Sequence, residues 1–568
     1  MGDEPRHLIG ARGGWRAGLA RKVSRRTFLS GSAAAVGLAA WRCGGSEPSA
    51  PPDLPVFRSA ATADTGEPVR GGVLVTGTTI PPTFGVDPHV EVATGLAIFP
   101  RLYGYLLHND FRTDRLILDH ADSVEQPDDV TYVIRLKQGI RFHDRSPING
   151  REVDAEDAAF SHYRYRDNPL VTSKTWHTTI MDSIAATDRY TVVVKTKFPY
   201  AYTFDALGGI SSGVIIPKEL LPDNLTAKAV GSGPFQLDHL DNNRQIDIVR
   251  FDGYHQRDLP YLDGMSWAIV VNDEEKLAAF REGTVHMMSN RDKVEAAQVV
   301  QEFGDAVEAY GTPSLSYVSL GMRVDQAPFN DERVRQAIDF GLNRERLIDD
   351  LTFGDGRTLG PVNPHLADGY WALPDSEVDA AYRWGVDPAV RLADARRLLE
   401  RAGAAGAKIV VQSSNLPSVI DIAGRVVSQL RDLGFQAEHQ ALELFQWFIN
   451  LRTGNFHATL ITHTPYESPD TPTRYYHSGG VSGIGNWFGF EDDVIDWLVT
   501  RSWGEFDREA RRATLLDAQR TMLARHGPLI QLYTGVSYSS AWRIVRGRQP
   551  GLPGSLAQYN YGQWLAGA

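Results

Sequence analysis

Residues 408–440 read KIVVQSSNLPSVIDIAGRVVSQLRDLGFQAEHQ, and their order of patterns sets the fold class. Lys408-Ile409-Val410-Val411-Gln412 is a β-branched run of strand length. Pro417 then opens a helix, where its missing N–H costs nothing. Val419, Ile422, Val426, Leu430 and Leu433 recur every three or four residues, so they share one apolar face. Gly434 stops the helix, and residues 435–440 resume in an extended pattern. Strand, helix, strand is a βαβ unit. Working outward, Asp387-Pro388 starts a helix that carries Ala395, Leu398, Leu399 and Ala402 and ends at Gly403. Another follows Asn330-Asp331 with Val334, Ile338 and Leu342, and a third starts at Asp154, with Ala158 and Phe160 and with Asp157 near its positive end. A β-rich run at residues 72–77 marks the start of order. These alternations predict an α/β architecture with parallel sheet content. No period of 20 to 50 residues recurs, which argues against a solenoid or propeller.

The chain has 568 residues, 42% hydrophobic and 23% charged, with 53 Gly and 31 Pro, so it reads as globular throughout its body. Its length suits about three or four folded units, or two large lobes. The formal charge of −12 argues against a general nucleic-acid partner, because neutralising phosphates needs a basic surface. The charge is unevenly spread. Residues 1–42 hold eight Lys and Arg against two Asp and Glu, a net of +6, which leaves −18 on the rest. Inside this leader Ser24-Arg25-Arg26-Thr27-Phe28-Leu29 precedes a small apolar run over residues 31–40, the layout of a twin-arginine export signal. That run is about half the roughly 20 residues a membrane-spanning helix needs. The single cysteine, Cys43, follows it and precedes a Pro-, Ser-, Ala- and Gly-rich linker at 44–69. One cysteine excludes an intrachain disulfide and a thiolate metal cluster. Two outcomes fit Cys43: lipidation that anchors the chain, or cleavage near Ala39 or Ala40. Trp41 and Arg42 stand where a lipidation signal has small residues.

Several further blocks follow in order. Ile140-Arg141-Phe142-His143-Asp144 leads into Asp154-Ala155-Glu156-Asp157-Ala158-Ala159-Phe160-Ser161. Val230-Gly231-Ser232-Gly233-Pro234-Phe235 follows, then Tyr254, Leu259-Pro260-Tyr261-Leu262-Asp263 and Ala278-Ala279-Phe280-Arg281-Glu282-Gly283. Pro328-Phe329-Asn330-Asp331-Glu332-Arg333-Val334-Arg335-Gln336-Ala337-Ile338, Asn343-Arg344 and the helix from Asp387 to Gly403 complete the series. Colinear from about residue 70 to 545, these blocks resemble the family 5 extracellular solute-binding proteins of ABC importers, the group that includes oligopeptide-, dipeptide- and nickel-binding proteins.

The resemblance implies a two-lobed, hinged, periplasmic-binding-protein-like (type II) fold of α/β class. Lobe I would combine residues 70–94, 226–312 and 529–568, with a subdomain inserted at 95–225, and lobe II would run over 313–528. Most motif residues are expected to be structural: Gly231 and Gly233 permit a turn, and Asp331 caps a helix. The implied protein is an exported, monomeric receptor without a cofactor or metal, periplasmic or held at the outer face of the cytoplasmic membrane. It would take a peptide-like or other polar solute and hand it to ABC permease subunits. Candidate ligand contacts lie at strand ends of lobe II: Ser414 and Asn415 before the Pro417 helix, His463, Tyr466 and Glu467 after a strand at 458–462, and Asn486 and Trp487 in a Gly-rich turn. Trp487→Ala is expected to weaken binding several-fold with little loss of folding. In peptide binders of this family the corresponding loop reads roughly W-x-x-D-Y-P-D-P, and its first Asp pairs with the terminal ammonium. Here His463 stands at the Trp position and Tyr466 at the Asp position, with Glu467 adjacent. A buried ammonium without a carboxylate is costly, so simple dipeptides are expected to bind weakly.

Enzyme motifs are weak by comparison. Gly209-Ile210-Ser211-Ser212-Gly213 satisfies G-x-S-x-G, but an extended segment follows it where a nucleophile elbow needs a helix. Gly483, Gly485 and Gly489 mimic a dinucleotide loop without a preceding strand. The 16 histidines form no H-E-x-x-H. An exported hydrolase with a carboxylate pair is the alternative function.

Overall fold

The computed structural model describes residues 66–82, 85–90, 95–110, 115–171, 174–220, 228–270, 272–463, 468–479, 486–548 and 561–566. The leader with Cys43, and Tyr466 and Glu467, lie outside the described residues. The βαβ reading is borne out. Strand Lys408–Ser414, helix Pro417–Leu433 and strand Gln436–Leu442 follow one another, and the strands pair in parallel with Ser414 opposite Leu442. All five predicted face residues of the helix are buried. Each such aliphatic side chain stabilises the fold by about 1.5–3 kcal/mol. The other three helices also form where their caps place them. Asp387 accepts from the Ala389 amide at 2.7 Å, Asp331 from Arg333 at 2.8 Å, and Asp154 closes a reciprocal capping box with Asp157.

The large sheet has ten strands in two halves. One half holds Phe235–Asp241, Gln245–Arg250, Gly264–Ile269, Val73–Thr78 and Met287–Asn290; the other holds Ala458–His463, Lys408–Ser414 and Gln436–Leu442. Two long strands, Val307–Met322 and Leu529–Trp542, lie between the halves and pair antiparallel with each other. Strands 121–128, 131–136, 191–196 and 181–188 form a separate four-stranded antiparallel layer, against which helix Ala155–Asp167 packs.

The motif residues of this layer clasp the large sheet. The His143 Nδ1 accepts from the Gly231 amide at 3.2 Å, and its Nε2–H donates to the Gly233 carbonyl at 3.1 Å. Neither glycine has a positive φ. What demands them is close approach: a Cβ on Gly231 would stand 2.0 Å from the Leu102 carbonyl oxygen, and one on Gly233 2.5 Å from that of Arg101.

Candidate functional site

Strand register decides where a ligand fits. In one half, Asn290 at the end of Met287–Asn290 pairs with Tyr538, which lies opposite Gly311. In the other half, His463 at the end of Ala458–His463 pairs with Tyr317, which lies opposite Thr534. Strands Val73–Thr78 and Gly264–Ile269 run parallel with the first of these, and Lys408–Ser414 and Gln436–Leu442 with the second. The carboxyl ends of both sets therefore converge on one short stretch of the two long strands, residues 311–317 and 534–538. Open α/β sheets receive ligands at such ends, and here two face each other across a shared floor.

That floor is irregular and polar. Pairing of the long strands shifts register between Pro313 and Tyr317. The carbonyls freed there are tied down: Asn363 Nδ2 donates to those of Ser314 and Leu315 at 3.1 and 3.0 Å, and Thr534 Oγ1 lies 2.8 Å from those of Ser314 and Ser316, its one proton serving either. Beside it the buried Lys293 donates to Asp355 Oδ1 at 2.8 Å, and the Tyr538 hydroxyl bonds the other carboxylate oxygen. Asn290 donates to Ser540 Oγ at 2.8 Å, while its Oδ1 is buried without a partner among the described residues. Sequence reading missed this group. Lys293 and Asp355 are 62 residues apart, and only the sheet brings them together.

The wall on the His463 side is aromatic. His463 is buried, shares a 2.6 Å hydrogen bond with Ser319 Oγ, and stacks on Tyr317 with ring centroids 4.1 Å apart and planes 5° from parallel. Burial pushes its pKa down to about 3, so the ring is neutral. Tyr475 stands 5.4 Å from His463 and 5.5 Å from Trp487, joining two predicted residues through one that was not. Trp487 is only 8% exposed and also packs on Phe488. Asn486 spends its side chain within its turn, donating to the Phe490 carbonyl at 2.6 Å and accepting from the Phe490 amide at 2.9 Å. Ser414 is buried and Asn415 exposed, one strand away at the same sheet edge.

One constellation resembles a nucleophilic relay. Ser232 Oγ lies 2.9 Å from His120 Nε2, and His120 Nδ1 lies 3.2 Å from Asp119 Oδ2. Both Ser232 and His120 are 1% exposed, and the α-carbon of Gly104 presses on the imidazole so closely that a Cβ would fall 1.7 Å from it. No substrate reaches that serine. In the G-x-S-x-G segment, helix Thr203–Leu207 precedes and strand Val214–Ile215 follows, the reverse of an elbow. Ser212 donates to the Ala206 carbonyl at 2.9 Å. Among the described residues no group of three or more His, Cys, Asp or Glu could hold a metal, and no helix is long and apolar enough to cross a membrane.

The model of bacterial extracellular solute-binding proteins, family 5 Middle, matches residues 115–486, well over half the chain. The chain belongs to this family. Among curated relatives, the glutathione-binding protein GsiB of Salmonella typhi is 27% identical over 335 residues, 57% of this chain and 59% of the relative. The match thus spans about three-fifths of that relative's length. Among solved structures, the periplasmic binding protein DppA of Helicobacter pylori in complex with peptide STSA gives a TM-score of 0.72 at 20% identity, covering 88% of this chain and 98% of that one. AgaA of A. tumefaciens R10 in complex with agropinic acid gives 0.73 at 20% identity, covering 88% and 99%. These likenesses establish the fold expected, the type II periplasmic-binding-protein architecture.

Proposed function

We propose that this family 5 member is the exported receptor of an ABC importer. It captures a peptide-like or other polar solute between two lobes and delivers it to permease subunits in the membrane. The observation that carries the reading is the convergence of both sets of strand ends on residues 311–317 and 534–538. Lobe I comprises 70–94, 226–312 and 529–568, with an inserted subdomain at 95–225, and lobe II comprises 313–528. A hinge at the two long strands lets binding energy drive closure. The ligand meets Ser414, Asn415, His463, Tyr466, Glu467, Asn486 and Trp487 on the lobe II side. Relatives named for glutathione and a tetrapeptide-bound neighbour support a small peptide-like solute.

Residues 1–43 direct export by the twin-arginine route. Intact mass of the membrane and soluble fractions separates a lipid-modified Cys43 from a chain cleaved near Ala39 or Ala40. The receptor itself is tested by mass spectrometry of whatever small molecule leaves the purified protein on denaturation, followed by incubation of that molecule with fresh protein. A bound solute recovered unchanged is expected; steady turnover would overturn the receptor reading. Calorimetry with a free dipeptide is expected to show weak binding, and sub-micromolar affinity would overturn the argument from Tyr466.

A further inference from the structure

Beside the four-stranded layer, Tyr200 meets the helical segment that follows the His463 strand in a knot of buried polar groups. Tyr200 comes from the turn that follows strand Thr191–Thr196, and its carbonyl is pinned by the Tyr132 hydroxyl at 2.9 Å and by Thr203 Oγ1 at 2.8 Å. Its hydroxyl donates to Asp470 Oδ2 and accepts from Arg474 Nη2. Arg474 Nε donates to the same Asp470 oxygen at 2.8 Å, and Ser468 Oγ donates to Oδ1 at 2.8 Å. Tyr200 and Asp470 are fully buried. Around the knot, the Ala201 amide donates to the Trp503 carbonyl at 2.6 Å, Phe198 stacks on Trp503 with centroids 6.2 Å apart, and Arg511 lies 5.2 Å from the Tyr202 ring. Tyr200 and Asp470 are 270 residues apart, Tyr200 beside the four-stranded layer and Asp470 in the helix that follows the His463 strand.

Asp470 is the key partner. With Arg474 and Ser468 it is already neutralised and hydrogen-bonded inside its own segment, so that segment does not require Tyr200 to satisfy its charge. What the Tyr200 hydroxyl adds is a charge-assisted bond across the gap, stronger than a neutral one and available only when the two bodies are in contact. We propose that the Tyr200 hydroxyl is the latch of the closed cleft: a positioning residue that holds the four-stranded layer against the Asp470–Arg474 segment and so retains the solute. The proposal rests on the receptor reading for its consequence, but the latch itself is testable without a solute.

Tyr200→Phe removes only the hydroxyl and leaves the ring against Trp503. In the full chain, hydrogen exchange at the Ala201 amide is expected to quicken about tenfold, while amides of strand Thr131–Leu136 keep their rates. Small-angle scattering is expected to give a larger radius of gyration for the variant. Unchanged exchange at Ala201 together with an unchanged radius overturns the latch. Should Tyr200→Phe fail to fold, Asp470→Asn, which keeps the side chain's shape and takes the charge off the bond that Tyr200 donates, carries the same expectation and the same refutation. With glutathione as the probe, dissociation from Tyr200→Phe is expected to be about tenfold faster than from the unaltered protein, as the loss of one charge-assisted bond predicts. Equal dissociation rates refute the latch's role in retention. If the unaltered protein does not bind glutathione, its solute is a different one, and exchange and scattering still decide the latch.

Discussion

Two buried histidines make opposite uses of the same chemistry. His143 belongs to the clasp: each ring nitrogen meets a backbone group of Gly231 or Gly233, and burial pushes its pKa down to about 4. His463 belongs to the wall: it is held by one serine hydroxyl and two tyrosine rings at the end of a strand, with its pKa pushed to about 3. The clasp fits backbone to backbone and admits no other residues, so it encodes the fold. The wall is side chain against side chain, where a change of residue reshapes a surface without moving a strand. A binding protein can therefore keep its architecture and change its solute by altering the second region alone.

Acid should break both at once. Each histidine is neutral in the folded protein and takes up a proton near pH 6.5 when unfolded, so stability is flat above that value. As pH falls below 6.5 the unfolded chain gains protons first, and each histidine costs about 1.4 kcal/mol per pH unit. The loss stops near pH 4 for His143 and near 3 for His463. From pH 6.5 to 4.5 the pair should cost about 5 kcal/mol, read as a falling urea midpoint. His162 and His365, whose pKa values burial also pushes down to about 4, add to the same slope, so His463→Gln should reduce it by about 1.4 kcal/mol per pH unit, its own share; an undiminished slope would show that His463 does not contribute.

Gly231→Ala should break the clasp alone. Its Cβ would meet a backbone carbonyl at 2.0 Å rather than a flexible side-chain tip, so relief requires moving the end of helix Gly95–Leu102. A loss of about 3 kcal/mol is expected from overpacking of this kind, measured by urea unfolding, and a loss below 1 kcal/mol would contradict the close-approach argument. Ser319→Ala touches only the wall. It strips the hydroxyl from His463 Nε2 and should cost about 1–2 kcal/mol, with solute affinity changed as well. Unchanged stability would mean that water replaces the hydroxyl.

Regular elements were legible because local physics sets them. Pro417, Asp387, Asp331 and Asp154 mark helix starts whatever they pack against, and the apolar period of residues 419–433 names the buried face. The cleft floor was not legible. It depends on the register of two strands more than 200 residues apart, and on Lys293, Asp355 and Asn290, each of which reads as an ordinary surface residue in its own stretch. For the predicted contacts, residue type was informative but environment was not: nothing near Asn486 in sequence shows that the Phe490 backbone occupies its side chain, and nothing near His463 announces Ser319, 144 residues away.

The smallest expected effect is also the sharpest test of the wall. Sequence alone suggested that Trp487→Ala would leave folding intact, but at 8% exposure, packed on Tyr475 and Phe488, the indole is part of the aromatic core. Removing it should cost about 3–5 kcal/mol, which would confound any binding measurement. Trp487→Phe keeps an aromatic plane in the same place and should cost less than about 1.5 kcal/mol. It reduces the aromatic surface the side chain can offer. If Trp487 forms part of the solute wall, affinity for the co-purified solute should fall several-fold while the urea midpoint barely moves; loss of contact area alone predicts that split. If affinity is unchanged, Trp487 belongs with His143, as a residue that holds the fold and does not meet the solute.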